Sequence, residues 1–454
     1  MTSLTLVTLV VISYGVLNAG GYGRALALGG ATAAGAAVVI GSVAVPTFYA
    51  VALGTVVALG LQLLGHGRSP PPPRRRLPPG VSLLLLFLGW SAFVTVLAPI
   101  LFDGTEVLTP AGARRLASGF LTSSNLAQVI YLVLGVCVVV FLARSAHGGP
   151  ELIGLTAGAT TLLSLWRYLN EGIGLPFPEG VFDNSPFLAY IETAAGGVER
   201  FRGILSEPAG LAASSLVTIS YMLSRSLQVQ GWRRAGALGV AGVAVFLGSI
   251  STSATFVVAG VVVALIAALA IALGFLLQRI AVSTLVSIMA CALVIVALWV
   301  LPIIADFVEA TVNEKVSSSS FTERSGANSA SYDLFLDTFG IGVGLGANRA
   351  SSFLAGLLST TGLVGTLLFA AAVAGLIRRS AAVRECRPVV WALVTTLVLK
   401  TVAGPDLSDS SGILWMSLGL LSHAVLRLES RERAGPPVSE VGPAAPLAER
   451  LTPR

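Results

Sequence analysis

Apolar residues in this chain run in windows of about 20, separated by short polar breaks, from one terminus to the other. The windows fall near 3–18, 25–42, 47–65, 81–100, 125–143, 151–168, 208–224, 235–250, 254–277, 281–304, 351–377, 388–403 and 411–427. Only a helix satisfies its own backbone in lipid over such a window. The pattern predicts an all-α polytopic membrane protein of about 13 spans, or about 12 if the glycine- and alanine-rich stretch 19–45 does not cross. The first window has no basic residues before it and no convincing small-residue cleavage site after it, which reads as a retained helix and not a signal peptide.

The arginines orient the spans. Arg68 and Arg74 to Arg76 flank a polyproline run. Arg144, Arg225, Arg233, Arg234, Arg279, Arg378, Arg379, Arg384 and Arg387 occupy every second later loop. All fall on the cytoplasmic side if 66–80 is cytoplasmic. Residues 1–427 then form a single transmembrane domain. The Pro-, Glu- and Arg-rich tail 428–454 is expected to be cytoplasmic and disordered.

The opposite side carries the loops 101–124, 169–207, 250–253, 305–350 and 404–410, which hold most of the acids. Its few cations are Arg114, Arg115, Arg167, Arg200, Arg202, Lys315, Arg324 and Arg349. Two of these loops, 169–207 and 305–350, are long. Within the second, 328–339 has helical periodicity, with Tyr332, Leu334, Phe335 and Phe339 on one face. This predicts a short helix on the outer membrane surface, capping a cavity.

Composition agrees with the pattern. The 454 residues are 55% hydrophobic and 11% charged, against about 25% charged in a soluble domain. Mean hydropathy is +0.86. The pI of about 9.5 follows from topology and does not imply nucleic acid. Cys137, Cys291 and Cys386 form no CxxC pair, so neither a disulfide framework nor a zinc site is expected, and nothing calls for a cofactor. Only Lys315 and Lys400 among the basic side chains are lysine, a bias that reads as a GC-rich genome.

Chemistry concentrates in two motifs. In 200-RFRGILSEPAGLAASS-215, Arg200 and Arg202 precede Ser206-Glu207-Pro208, with Ser206 a candidate N-cap and proline at the first helical position. A helix N-terminus beside Arg202 makes an anion pocket, and Glu207 could serve as a base or as a partner for Arg202. The bland alternative is that Glu207 caps the helix while the arginines hold headgroup phosphates. The second motif runs from 323 to 366. Arg324 opens it, Tyr332 and Asp333 lie on the predicted helix, and Gly340, Gly342, Gly344 and Gly346 alternate before Asn348 and Arg349. Alternating glycines let backbone turn tightly and approach closely. No strand precedes them and the spacing is not GxGxxG, which disfavours a dinucleotide site. The bland alternative, a re-entrant connection packed by small residues, explains the glycines but not Arg349.

Lys400, near the end of its span, is either functional or snorkels toward the Asp406 side of the interface. Arg167, between Trp166 and Tyr168, reads as an interfacial anchor. Arg114 and Arg115 read as solvated or lipid-facing. Residues 251–255 read as a polar turn. His66, His147 and His423 all fall on the cytoplasmic side.

The order of these motifs resembles the O-antigen ligase and O-antigen polymerase superfamily of bacterial cell-envelope proteins. The resemblance covers roughly 200–425: an R-G-x-x-x-E-P stretch entering a mid-chain helix, a large outer loop with an arginine, an amphipathic segment, G-x-G-x-G, and a helix with G-x-x-G. It implies a metal-independent glycosyltransferase of GT-C-like architecture in the cytoplasmic membrane. The donor would be a polyprenyl-diphosphate-linked oligosaccharide on the extracytoplasmic side, with membrane lipids and the flippase and chain-length regulator of the same pathway as partners. By motif, Arg202 and Arg324 match the family's diphosphate-binding arginines. Ligases usually carry a histidine after the glycine turn. Here that neighbourhood reads Gly346-Ala347-Asn348-Arg349, which favours a polymerase or a related exopolysaccharide enzyme over a ligase.

The mechanism then expected is inverting. Arg202, Arg324 and Arg349 clamp the diphosphate, with Arg200, Asn348, Tyr332, Asp333 and Lys400 in the binding region. Glu207 (first choice) or Asp333 takes the acceptor proton. The rivals are a ligase with a lipid acceptor, a flippase or transporter of lipid-linked glycans, and a regulatory membrane subunit. A transporter would show midplane polar residues and internal repeats, and neither is evident.

Overall fold

In a computed structural model the chain is described over residues 2–17, 22–32, 35–41, 43–63, 77–109, 112–145, 149–186, 190–193, 199–278, 319–381, 383–404 and 406–434. The first half contains α1 (Ser3–Leu17), α2 (Tyr22–Ala31), the hairpin β1 (Ala37–Ile40) and β2 (Val43–Pro46), α3 (Thr47–Leu63), and α4 (Val81–Leu101). A second hairpin, β3 (Glu106–Thr109) and β4 (Gly112–Arg115), precedes α5 (Ser123–Arg144) and α6 (Glu151–Ile173). The second half contains α7 (Pro208–Ser226), α8 (Trp232–Ile250), α9 (Ala254–Gln278), α10 (Ser319–Asp337), α11 (Phe353–Ser380), α12 (Arg387–Ala403) and α13 (Ile413–Ala434).

Six helices among the described residues are long and apolar enough to cross a membrane: α4, α5, α8, α9, α11, and α12 with the short turn before it. α1 and α3 are apolar but shorter. The chain is thus a mostly helical, multi-pass membrane protein. The expected span 281–304 lies outside the described residues. The expected span 25–42 does not form. α2 has 10 residues, about 15 Å of helix against a hydrocarbon core of about 30 Å. The β-branched run Val38, Val39, Ile40, Val43 and Val45 then favours a hairpin, which pairs Ala37 with Pro46 and Ile40 with Val43. At the other terminus α13 continues to Ala434, so the first residues of the expected tail are helical. Arg379 meets Glu429 there at 3.5 Å. Residues 435–454 lie outside the described residues.

The first ten residues of α13 are all buried, Leu414, Trp415, Met416, Leu418 and Leu421 fully so. The helix packs closely on α5 because each presents a glycine to the other, Gly135 on α5 and Gly419 on α13. A Cβ on Gly135 would stand 2.5 Å from the Trp415 ring, and one on Gly419 would stand 3.2 Å from the Val139 Cα. Close approach through small residues is how helices associate without a hydrophobic drive between them.

The connections sort to two ends. At one, the Asn184 side chain bonds both backbone groups of Ala37 (2.8 and 2.9 Å), and Asp409 N–H donates to Tyr49 Oη (2.7 Å). Asn125 Nδ2 donates to the Leu345 carbonyl there (2.6 Å). At the other end, Ser422 Oγ donates to the Pro79 carbonyl (2.7 Å) and Tyr221 Oη to that of Pro150 (2.8 Å). The connections rich in carboxylates and glycine therefore gather at the first end.

Candidate functional site

The glycine turn is where α11 breaks. Gly362 sits inside α11 with φ 67° and ψ −172°, which removes the helix's own partners around it. A buried backbone group must then bond elsewhere, and residues 340–344 supply the partners. Val343 N–H donates to the Ser359 carbonyl (2.8 Å), Gly344 N–H to that of Thr360 (2.9 Å), and Leu363 N–H to that of Gly340 (2.8 Å). Trp90 Nε1 takes the Thr361 carbonyl (2.8 Å). The glycine spacing follows from this contact. A Cβ on Gly342 would stand 2.8 Å from Gly362 N, on Gly344 2.6 Å from the Thr95 Cα, and on Gly346 2.5 Å from the Ser124 carbonyl oxygen. All three also have positive φ. Non-helical backbone in such a protein belongs where it is buried or lines a cavity.

The same turn anchors α10. Asn348 donates from Nδ2 to Ser331 Oγ (2.9 Å) and Ser359 Oγ (3.1 Å), and its Oδ1 accepts from Leu108 N–H (3.1 Å). Its amide is thus spent on the scaffold and does not face a ligand. Asn328 Oδ1 accepts from both Ser351 N–H (3.0 Å) and Ser352 N–H (2.9 Å). That carboxamide ties the middle of α10 to the entry of α11. Arg324 lies one turn before Asn328, and Arg349 lies two residues before Ser351. Both are exposed, and neither guanidinium has a hydrogen bond or ion pair among the described residues. The two arginines, distant in sequence, therefore project from one frame.

α10 starts nine residues before the expected helix, and its faces divide differently. Leu334 turns inward onto Val107, Val343 and Ala347. Tyr332, Leu336 and Phe339 are exposed, Phe339 at 87%, so Leu334 and Phe339 do not share a face. Asp333 is exposed beside them.

The first motif has a different outcome. Arg202 is 4% exposed. Its Nε donates to Glu192 Oε1 (2.8 Å), and Nη1 and Nη2 donate to the two Asp183 oxygens (3.0 and 2.8 Å). Nη1 also donates to the Leu205 carbonyl (2.7 Å), and the guanidinium lies over the Tyr190 ring at 4.9 Å. Arg167 joins the same carboxylates, at 2.9 Å to Asp183 and 3.1 Å to Glu192, and adds Glu171 at 3.1 Å. Burial works to raise the Asp183 pKa, but the hydrogen bonds and charges of Arg202 and Arg167 outweigh it and hold the carboxyl below its ordinary range. Burial likewise works against the Arg202 charge, and Asp183 and Glu192 more than restore it.

Arg202 is therefore committed to a buried network and is not free to clamp a phosphate. Arg167 is part of that network, beyond the interfacial role expected of it. Arg200 is committed too: Nε donates to Thr252 Oγ1 (3.1 Å) and Nη2 to its carbonyl (2.8 Å). This holds the α8–α9 turn, where Thr252 has φ 47°. The N-cap of α7 is Glu207, not Ser206, with Pro208 following and no side-chain cap bond. The Glu207 carboxylate is exposed and makes no hydrogen bond or ion pair among the described residues.

Lys400 Nζ donates to the carbonyls of Asp406 (2.9 Å) and Ser408 (3.1 Å) and lies 5.8 Å from the Phe353 ring centre. It binds backbone in the Asp406 segment and not the Asp406 carboxylate. Asp409 caps α13, accepting from Ser411 Oγ (2.7 Å) and Leu414 N–H (2.7 Å). Between α5, the glycine turn, the first half of α11 and residues 406–407 lies a small cleft with room for about one or two water molecules. Gln128, Leu345, Asn348, Ala350, Leu357 and Asp406 are among its walls. Asp183, Glu192 and Asn328 were not distinguishable as site residues in the sequence. The only signal for the two acids was their place in a long loop beside unexplained arginines.

The chain matches no family model, and no curated protein resembles it closely enough in sequence to count as a match.

Proposed function

We propose that the chain is a polymerase-type glycosyltransferase. It joins polyprenyl-diphosphate-linked glycan repeats on the outer face of the cytoplasmic membrane, which the distribution of arginines among the loops assigns to the glycine-turn end. The observation that carries this reading is the pair Arg324 and Arg349, exposed and unpaired among the described residues, on the frame that Asn328 fastens. Two guanidiniums on one frame can take a diphosphate bidentately. Because Arg202 is spent on Asp183 and Glu192, the clamp reduces to these two, and the first motif serves as their support.

In the step proposed, the acceptor hydroxyl oxygen bonds to the anomeric carbon from the face opposite the leaving group. The bond from that carbon to the diphosphate oxygen breaks, and the diphosphate leaves with the electron pair, stabilised by the arginines. The hydroxyl proton passes to a carboxylate. Glu207 and Asp333 are both exposed and unpaired among the described residues, and Glu207 remains the first choice because a helix start fixes it. No cofactor is called for. A polyprenyl-diphosphate oligosaccharide incubated with the purified protein should be extended. Arg324→Ala and Arg349→Ala should each abolish extension with the protein still folded. Full-length polymer from both variants would sink the proposal.

One observation favours a second reading, a transporter of lipid-linked glycans: α11 is a broken helix, as transporter sites often are. Extension in detergent, where no membrane separates two sides, distinguishes the enzyme from the transporter.

A further inference from the structure

We propose that Arg114, on the β3–β4 hairpin, is a third cation of the frame that carries Arg324 and Arg349, and that it binds the diphosphate of the glycan donor with them. The identity of the anion rests on the glycosyltransferase reading above. The chemistry recognised, a phosphate ester at the membrane surface, is shared by phospholipid headgroups, and the experiment below separates the two sources.

The hairpin is built into the frame. Leu108 on β3 spends both backbone groups on the segment that carries Arg349. Its N–H donates to Asn348 Oδ1 (3.1 Å), and its carbonyl accepts from Arg349 N–H (2.9 Å). On its other edge β3 pairs with β4, Val107 opposite Arg114 and Leu108 opposite Ala113. β3 thus runs between Arg114 and Arg349. Neighbouring strands lie about 4.8 Å apart, so these two backbones stand roughly 10 Å from each other. Residues opposite each other in an antiparallel pair share a face. Val107 is buried against Leu334 of α10 and against Val343 and Ala347 of the glycine turn, with Leu116 packed beside them. Arg114 therefore leaves the hairpin on the face turned to α10 and the glycine turn. Arg115 and its opposite number Glu106 belong to the reverse face. The element that brings Arg324, the segment that leads to Arg349 and the hairpin that brings Arg114 meet in one small core.

Arg114 is held but not neutralised. Its Cζ lies 5.1 Å from the Phe120 ring centre, and Phe120 is itself 54% exposed. A ring orients a guanidinium while leaving its N–H donors free. Arg114 is exposed and makes no hydrogen bond or ion pair among the described residues. The acids of the same connection are turned elsewhere. Glu106 is on the reverse face, and Asp103 Oδ1 accepts from Ser118 N–H (2.8 Å). Arg167 and Arg202, by contrast, are consumed by shared carboxylates. Arg114 keeps its charge for a ligand, as Arg324 and Arg349 do. A diphosphate spreads its charge over two phosphoryl groups, which guanidiniums on one frame can hold through paired donors.

The test uses the full chain in phosphatidylcholine nanodiscs with farnesyl diphosphate as probe. Binding is read by titration calorimetry against empty discs. The wild type should bind. Arg114→Ala should weaken binding about fivefold or more, the loss of a charge-assisted contact discounted for its exposure. Arg115→Ala, its neighbour on the reverse face, should change binding by less than about twofold. Phe120→Leu, which keeps the charge and removes the ring, should weaken it about threefold. No binding by the wild type, or equal effects of Arg114→Ala and Arg115→Ala, overturns the proposal. Should Arg114→Ala fail to give a monodisperse protein, Arg114→Gln, which keeps much of the stem, decides. In discs that also contain phosphatidylglycerol, native mass spectrometry counts the lipid retained. If Arg114→Ala loses that lipid but keeps its affinity for the probe, the residue is a headgroup site and the proposal falls. Probe binding lost in Arg349→Ala and intact in Arg114→Ala would overturn the third cation and leave the glycosyltransferase reading standing. Probe binding that depends on Arg114 in a protein that never extends a glycan would overturn that reading and leave the anion site standing.

Discussion

Gly342, Gly344 and Gly346 are glycines because backbone occupies the space of a side chain. The Gly344 position combines φ 91° with Thr95 backbone 2.6 Å from any Cβ. Gly344→Ala should therefore destabilise the protein by about 1–3 kcal/mol from the backbone strain alone, with the clash adding to it. Gly375, in the same helix as Gly362 with nothing within 4 Å of its Cβ position, is the control. Gly375→Ala should be neutral or stabilising by up to about 1 kcal/mol. Thermal unfolding in detergent separates the two, and equal melting temperatures would refute the close-approach account.

Arg202 makes the second residue-scale prediction. Removing it leaves Asp183 and Glu192 beside Arg167 with half their partners. Because those carboxylates are partly solvated, the cost should be about 1–3 kcal/mol and not that of a fully buried pair. The pH dependence has a definite sign. A carboxyl whose folded pKa is lowered stabilises the fold above its unfolded value, about 3.9 for Asp. That stabilisation is lost as pH falls through the lower folded value. The described residues of the connection around Asp183 and Glu192 should thus stay docked at about pH 5 and loosen only below about pH 4. Hydrogen exchange over that connection checks it: release already at pH 6 would contradict the network. Arg202, with its pKa raised, adds nothing to the acid side, since its contribution is complete everywhere below its ordinary value.

At the scale of elements, two carboxamides join α10 to α11: Asn348 between them, and Asn328 at the α11 entry. Asn328→Ala removes the acceptor for Ser351 and Ser352, at about 1–2 kcal/mol. The change should speed amide exchange over 349–356 while leaving α4 and α5 unaffected. If Arg324 and Arg349 act as a pair, the same substitution should weaken donor binding although it touches neither. Unchanged donor affinity in Asn328→Ala would separate the arginines. The exposed Tyr332, Leu336 and Phe339 follow a helical spacing and lead to Gly340, which bonds Leu363. Leu363, Val364 and Leu367 are themselves exposed on α11, so the apolar stripe of α10 runs into a membrane-crossing helix.

For the whole molecule, the sorting of connections to two ends predicts labelling from two sides. Single cysteines at Ser118 and Ser408 should react with an impermeant maleimide from the outside of cells. Cysteines at Gln228 and Ala381 should react only after permeabilisation. Labelling of all four from one side would overturn the arrangement. At this scale the sequence was informative about the class of fold, because the length of an apolar span answers to the bilayer alone. It misled at 25–42, where apolarity is equally compatible with a short helix and a β-branched hairpin packed inside. It also left Arg202, Arg324 and Arg349 looking alike. All are cations against an acidic background, and only the fold puts Asp183 and Glu192 against the first of them.

The sequence by itself determined that most of this chain lies in lipid, because long apolar windows with few charges have no other stable environment. It also determined where backbone must pass close to backbone, because alternating glycines have few other uses. Tertiary structure decided what passes there: the glycines meet the break in α11 at Gly362, a contact between segments with no local signature. It decided as well which charges are free. A guanidinium is spent or available according to the carboxylates brought within about 3 Å of it, and in this chain those come from turns and loops that only folding assembles.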